Sequence, residues 1–407
     1  MSKIKPTENQ LKFMDWEIGA FFHFGIRTFN EGHKDWDMKE MPLSTFNPTE
    51  LDCEQWIKSV SEMGAKYAIL VTKHHDGFAN WPTKYSDYNV AATPWKDGKG
   101  DVVREFTDAC RKYGVHVGLY YSPAQFGYTQ MSGKEYDDYF INQISELLTN
   151  YGKIEYLWFD GNGSENHEYD TDRIIKCIRS LQPEIMIFTM WNPDTVWVGN
   201  EEGIAPFDAR YEVTGTKIST ELQDPELLDR AKFLPYECDC KLRRYNWFYS
   251  EFDLPDMRSV NELVALYDYS VGRGGNLLLN IAPDRRGLLP DEDVQRIKEF
   301  GKVIKDRFSV EKNVTIERID DGFIIKANEN TTITTIEIME DLVEGQGILG
   351  FQLIYSPCGG TVIYEGKTVG HKQIVTIPEL YLDDSRTLTF KVTESNDGYK
   401  INSVRVF

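Results

Sequence analysis

Apolar residues recur along the first three quarters of this chain as short runs, and the stretches between the runs carry a helical period. Residues 20–26 (AFFHFGI) form one such run, interrupted by His23. Residues 67–72 (YAILVT) are almost fully apolar, as expected of a strand covered on both faces. The pattern returns at 115–121 (VHVGLYY), 156–159 (YLWF), 185–190 (IMIFTM) and 276–282 (NLLLNIA). Amphipathic helical patterns run between them over 52–63, 101–113, 135–151, 170–181, 260–269 and 291–306. Strand-helix alternation with short links predicts a parallel α/β architecture. A span of about 310 residues suits a TIM-like (β/α)8 barrel with insertions, since a plain one takes roughly 250. Within 194–255 the rhythm weakens, and the pattern places neither the sixth strand nor the seventh.

Past Phe308 the texture changes to short alternating strands separated by polar turns, among them 314–317, 322–326, 331–339, 352–355, 361–364, 373–377, 387–392 and 403–407. That spacing predicts an antiparallel β-sandwich. The expected organisation is therefore a barrel over 1–309 followed by a sandwich over 310–407.

Composition narrows the function. A formal charge of -20 disfavours nucleic acid or an anionic membrane as a partner, because both need a basic surface. Aromatics make up 13 % of the chain and include nine Trp, a balance suited to a neutral carbohydrate. The opening MSKIKPTENQ lacks an apolar run behind a basic start, which predicts a cytoplasmic location unless a native leader has been removed. No stretch approaches the roughly 20 apolar residues of a membrane span. Of the six Cys, Cys238 and Cys240 form a C-x-C pair, but no second pair lies close enough for a zinc site.

Chemistry-bearing residues gather where strands end, which in a barrel is where reaction sites lie. The 156–159 run ends in Asp160-Gly161, and alternation along a strand puts Trp158 and Asp160 on one face. Asp160 reads either as a cap for the following turn or as the nucleophile of a sugar hydrolase. Lys73-His74-His75-Asp76-Gly77 follows the 67–72 run. Its two histidines could be metal ligands, with His23 and Asp76 as further candidates, or acid/base groups, or hydrogen-bond donors to a polar ligand. No H-x-x-x-H or paired-Cys spacing supports the metal. His23, His74, Tyr120 or Tyr121, Trp158, Asp160 and Glu201 all fall near strand ends. A ring of His, Tyr and Trp around carboxylates suits a sugar, which offers hydroxyls and an apolar C–H face. Glycosidases of the common kind need a second carboxylate, and spacing leaves Glu201, Glu202, Glu212, Glu221 and Glu237 all open.

Taken together, the motifs resemble the α-L-fucosidases of glycoside hydrolase family 29. The segments are F-F-H-F-G with His23, F-N-P-x-x-L-D-x-x-Q-W from Phe46, K-H-H-D-G-F from Lys73, G-L-Y-Y-S from Gly118, L-W-F-D-G from Leu157, V-G-N-E-x-G from Val198 and G-G-N-L-L-L-N-I-A-P-D-R-R-G from Gly274. The resemblance implies that Asp160 is the nucleophile and that His23, His74, His75, Tyr120, Trp158 and the Asp35-Trp36 pair bind fucose. V-G-N-E-x-G and P-x-E-x-D (Pro235 to Asp239) resemble the α-1,3/1,4 subgroup, which implies Glu201 as acid/base and Glu237 as its rival and a substrate contact. Two departures stand out. Asp35 replaces the more usual Glu, and L-R-R-Y-N-W-F-Y lacks the Pro-Gly that usually precedes the Trp.

The expectation is a retaining exo-α-L-fucosidase that acts on fucosylated oligosaccharides with neither cofactor nor metal. The alternative from another class is a fucose-binding protein on a hydrolase scaffold. A metal-dependent hydrolase or isomerase on the same barrel is the third reading.

Overall fold

The structure, a computed structural model, describes residues 4–32, 34, 37–214, 231–357, 359–396 and 398–407. Its first unit is a nearly closed parallel barrel. The strands β1 (Ile18–Phe22), β2 (Tyr67–Lys73), β3 (His116–Tyr121), β4 (Tyr156–Phe159), β5 (Met186–Phe188) and β6 (Val196–Trp197) are followed by a two-stranded ribbon, β7 (Glu212–Val213) with β8 (Lys232–Phe233). The barrel is completed by β9 (Tyr236–Lys241) and β10 (Asn276–Asn280), in spatial order β5-β4-β3-β2-β1-β10-β9-β6. A parallel bridge between Phe188 and Thr195 brings the two ends of the sheet together. All seven residues of β2 are buried, which explains why its sequence shows no polar alternation.

Three of the helices begin where the sequence offers a carboxylate. Asp52, Asp101 and Asp170 cap α2 (Cys53–Met63), α3 (Val102–Tyr113) and α5 (Thr171–Leu181), accepting from the backbone N–H of Gln55, Arg104 and Arg173. The residue expected to open each helix is thus its cap. The first strand is shorter than its apolar run and stops at Phe22, so His23 lies just beyond the strand.

The barrel interior has a closed floor. Before β1, α1 (Glu8–Met14) sends Phe13 under the strand starts, its ring 5.2 Å from that of Tyr156 and 5.9 Å from that of Tyr67. Gly19 of β1 makes room for Tyr67, since a Cβ there would lie 2.3 Å from the Tyr67 ring. Above this floor Ile69, Val71, Tyr120, Trp158, Phe188 and Leu278 fill the interior up to the strand C-termini.

After α4 (Gly133–Asn150), α5, α6 (Val260–Tyr269) and α7 (Asp291–Arg307), the chain forms an antiparallel sandwich. Its strands are β11 (Val314–Ile319), β12 (Gly322–Ala327), β13 (Thr331–Glu340), β14 (Ile348–Tyr355), β15 (Thr361–Gly366), β16 (Gln373–Leu382), β17 (Leu388–Ser395) and β18 (Ile401–Val406). They make a five-stranded sheet (β11-β12-β17-β14-β15) and a three-stranded sheet (β16-β13-β18) around a separate core that includes Phe323, Phe351 and Phe390. Lys372 joins the two units, its ammonium 2.5 Å from Glu17 of the barrel and 3.3 Å from Glu337 of the sandwich. Two carboxylates around one cation offset the burial of that charge. Among the described residues no helix is long and apolar enough to cross a membrane.

Candidate active site

A cavity of about 540 Å³ opens at the C-terminal end of the barrel strands. Its lining includes His23, His74, His75, Tyr120, Trp158, Asp160 and Glu201, so seven of the residues singled out from the sequence meet in one place. Asp160 directly follows β4, where the sheet ends and the chain turns. Its Oδ2 accepts from the Tyr120 hydroxyl at 2.7 Å and lies 3.3 Å from His75 Nε2, and its Oδ1 accepts from the Asn162 backbone N–H at 3.0 Å. Burial alone would raise its pKa. The His75 charge and hydrogen bond, the Asn162 N–H and the Tyr120 hydroxyl outweigh that and hold it below the usual carboxylate range. Asp160 is thus an ionised carboxylate with both oxygens oriented, its side chain still 22 % exposed to the cavity.

The imidazoles are fixed from behind. His75 Nδ1 lies 2.5 Å from Ser122 Oγ, whose own proton goes to the Ala124 carbonyl. His23 Nδ1 lies 2.7 Å from Asn280 Oδ1. Because the Asn280 amide nitrogen donates to the Trp247 carbonyl, its oxygen is the acceptor, and His23 carries its proton on Nδ1. Burial pushes the His23 pKa down to about 3, against the opposing pull of Asn280 and Asp160, so a neutral ring turns Nε2 toward the cavity as an acceptor. His74 stacks on Tyr120 (5.4 Å, 7°), and Tyr120 in turn stacks on Trp158.

The seventh strand, which the apolar pattern did not reveal, supplies the rest of the wall. Glu237, Asp239 and Lys241 alternate with buried Cys238 and Cys240, which puts all three polar side chains on the inward face of β9 at successive depths. Lys241, nearest the mouth, pairs with Glu201 at 2.9 Å and lies 4.5 Å over the Trp247 ring. Asp239 accepts from Trp197 Nε1 at 2.7 Å. Burial drives its pKa well above the carboxylate range; the Trp197 bond opposes this and the charge of Glu201 adds to it. Asp239, Lys241, Trp197 and Trp247 were missed as site residues. The period-two E-C-D-C-K pattern was the signal, obscured because polar residues on an inward face do not read as a strand.

Glu237 occupies a different position from the substrate contact expected of it. It is fully buried below Trp158 and outside the cavity lining. Its carboxylate accepts from Tyr67 OH (2.6 Å), Trp158 Nε1 (2.8 Å) and Tyr156 OH (3.4 Å). Of the other carboxylates weighed, Glu202 is exposed and pairs with Arg258, and Glu212 is exposed on β7. Asp35, Trp36 and Glu221 lie outside the described residues. Asp76, considered as a ligand, is buried against Arg27 at 2.8 Å. His74, His75 and Asp160 each place a potential ligand atom within 4.8 Å of the others, which makes them, among the described residues, the grouping that could take a metal.

Comparison with known proteins gives the family. The α-L-fucosidase family model matches residues 1–307, which is the whole barrel. The chain belongs to the α-L-fucosidase family. Alpha-L-fucosidase 1 of Arabidopsis thaliana is 31 % identical over 96 % of this chain and 85 % of its own length. A solved glycoside hydrolase 29 family member from an unknown rumen bacterium superposes with a TM-score of 0.89 at 30 % identity, covering all of this chain and 77 % of that one. This fucosidase is a glycoside hydrolase whose barrel and sandwich both have counterparts in that structure.

Proposed function

We propose that this fucosidase removes terminal α-L-fucose from glycans, with preference for α-1,3/1,4 linkages, by a retaining double displacement. Asp160 attacks the anomeric carbon and forms a C–O bond as the glycosidic C–O bond breaks. Glu201 gives its proton to the departing oxygen. Glu201 then takes a proton from water, whose oxygen attacks the same carbon and releases Asp160 as a carboxylate. Two inversions return the α-anomer. The observation that carries this reading is the ionised, doubly oriented Asp160 sharing one cavity with Glu201.

The remaining roles follow from the same cavity. Neutral His23 accepts from one sugar hydroxyl, His74 and His75 bind others, and Trp158 packs against the apolar face of the ring. The linkage preference rests on the resemblance of V-G-N-E-x-G and P-x-E-x-D to the corresponding subgroup. The test is hydrolysis of an aryl α-L-fucoside, followed by NMR of the first-formed anomer, then a panel of fucosylated oligosaccharides of differing linkage. First-formed β-fucose would overturn the retaining mechanism, and equal rates across all linkages would overturn the preference.

A further inference from the structure

A second cleft, of about 320 Å³, adjoins the main cavity and shares Asn246 and Trp247 with it. Trp247 is therefore a common wall, with Lys241 and His23 packed near its ring and Glu31, Ser250 and Phe252 lining the neighbouring space. Phe252 is 72 % exposed and Tyr245 57 %, more than any other aromatic among the described residues, and their rings lie 5.8 Å apart.

The loop that carries them is held in place. Asp253, only 1 % exposed, accepts from the Asn246 backbone and side chain at 2.8–2.9 Å. Glu31 accepts from Ser250 Oγ and the Glu251 N–H, both at 3.1 Å, and from Arg285 at 2.7 Å. Single exposed apolar residues are ordinary, but two adjacent aromatics on a pinned loop beside a reaction cavity form a platform. A cleft of roughly 300 Å³ or more with apolar walls and a few fixed polar groups is the usual form of a small-ligand site.

We propose that this cleft, with Phe252 and Tyr245 at its edge, binds a second pyranose ring on the leaving-group side of a fucosylated oligosaccharide. The proposal rests on the fucosidase reading. The sugar's C–H face packs on Phe252, its hydroxyls reach Glu31 and Ser250, and Trp247 separates it from the fucose. The ligand class is a neutral sugar chain of at least three residues.

Phe252 is exposed, so its replacement tests binding without threatening the fold. In Phe252→Ala, kcat/KM for a fucosylated tetrasaccharide should fall about tenfold, through KM, while kcat/KM for an aryl α-L-fucoside stays within twofold. Phe252→Trp should restore the tetrasaccharide. Loss of both substrates by the same factor, or of neither, overturns the proposal. Calorimetric titration of the same tetrasaccharide into Asp160→Asn, with and without Phe252→Ala, reads the cleft independently of turnover. Equal binding there also overturns it. A wild type that binds the tetrasaccharide with dependence on Phe252 but cleaves neither substrate would sink the fucosidase reading and leave the cleft standing.

Discussion

The indole nitrogen of Trp158 donates to Glu237 Oε1 at 2.8 Å, and through that bond a fully buried carboxylate sets the plane of the cavity's aromatic wall. Burial lifts the Glu237 pKa from 4.5 to about 7, although its three donors pull the other way. A raised carboxyl pKa means that the folded state holds the proton more tightly than the unfolded one. The associated stability is complete below pH 4.5 and is lost as pH rises to about 7. At about 1.4 kcal/mol per pH unit the group contributes about 3 kcal/mol of decline across that window. Urea unfolding at pH 4.5 and pH 7.5 should reveal it, and Glu237→Gln should flatten that part of the profile. Glu237→Leu leaves Tyr67 OH and Trp158 Nε1 without an acceptor, while Tyr156 OH keeps Thr195 Oγ1 at 2.8 Å, and should cost about 2–4 kcal/mol. An unchanged pH slope in Glu237→Gln would show that the carboxyl does not titrate in this window.

The barrel was legible because five of its strands and its last are dense apolar runs, and because carboxylates mark three of the helix starts. The sixth strand is two residues long, too short to show a period. The seventh carries its polar residues inward, the reverse of what alternation teaches. The strand-end residues of β1 to β4 could be read from position alone. Glu237 could not, because a single two-residue step along one face of β9 separates a cavity-lining residue from a buried one: Asp239 at the wall and Glu237 beneath it differ only in depth.

Asp160→Asn should retain the fold and lose hydrolysis by at least about 1,000-fold, equivalent to about 4 kcal/mol of transition-state stabilisation. The amide oxygen can still accept from the Asn162 N–H while its NH2 donates to the Tyr120 oxygen, so the loop after β4 stays in place. Fucose affinity, measured by calorimetry, should change far less than turnover. Near-normal turnover in a pure preparation would remove Asp160 from the chemistry.

His74→Ala should lower kcat/KM for an aryl fucoside about tenfold or more, since hydrogen bonds to the sugar strengthen as an oxocarbenium-like transition state forms. The clustering of His74, His75 and Asp160 donor atoms within 4.8 Å makes a rival outcome specific. If those residues hold a metal, the wild type should contain it stoichiometrically and lose activity in chelator, and His74→Ala should lose the ion. Full activity after exhaustive chelation is the expected result, and a bound, activity-linked zinc would overturn the sugar-platform reading.

Glu201 stands 49 % exposed with Lys241 at 2.9 Å, open to a leaving group and to water. If it is the acid/base, Glu201→Ala should slow natural glycans far more than activated aryl fucosides, because a good leaving group departs without a proton. The second step then stalls for want of a base, and the covalent intermediate should accumulate to a mass shift visible on the intact protein. Azide needs no deprotonation, so it should restore turnover. Attack on the β-linked intermediate yields α-fucosyl azide, whereas attack on free substrate would yield the β-anomer; the α-anomer is the expected product. Glu237→Gln is the control. Buried beneath Trp158, it cannot meet an incoming anion and should show no rescue. Rescue there and not at Glu201 would transfer the acid/base role to Glu237 and leave the V-G-N-E-x-G loop as a binding element.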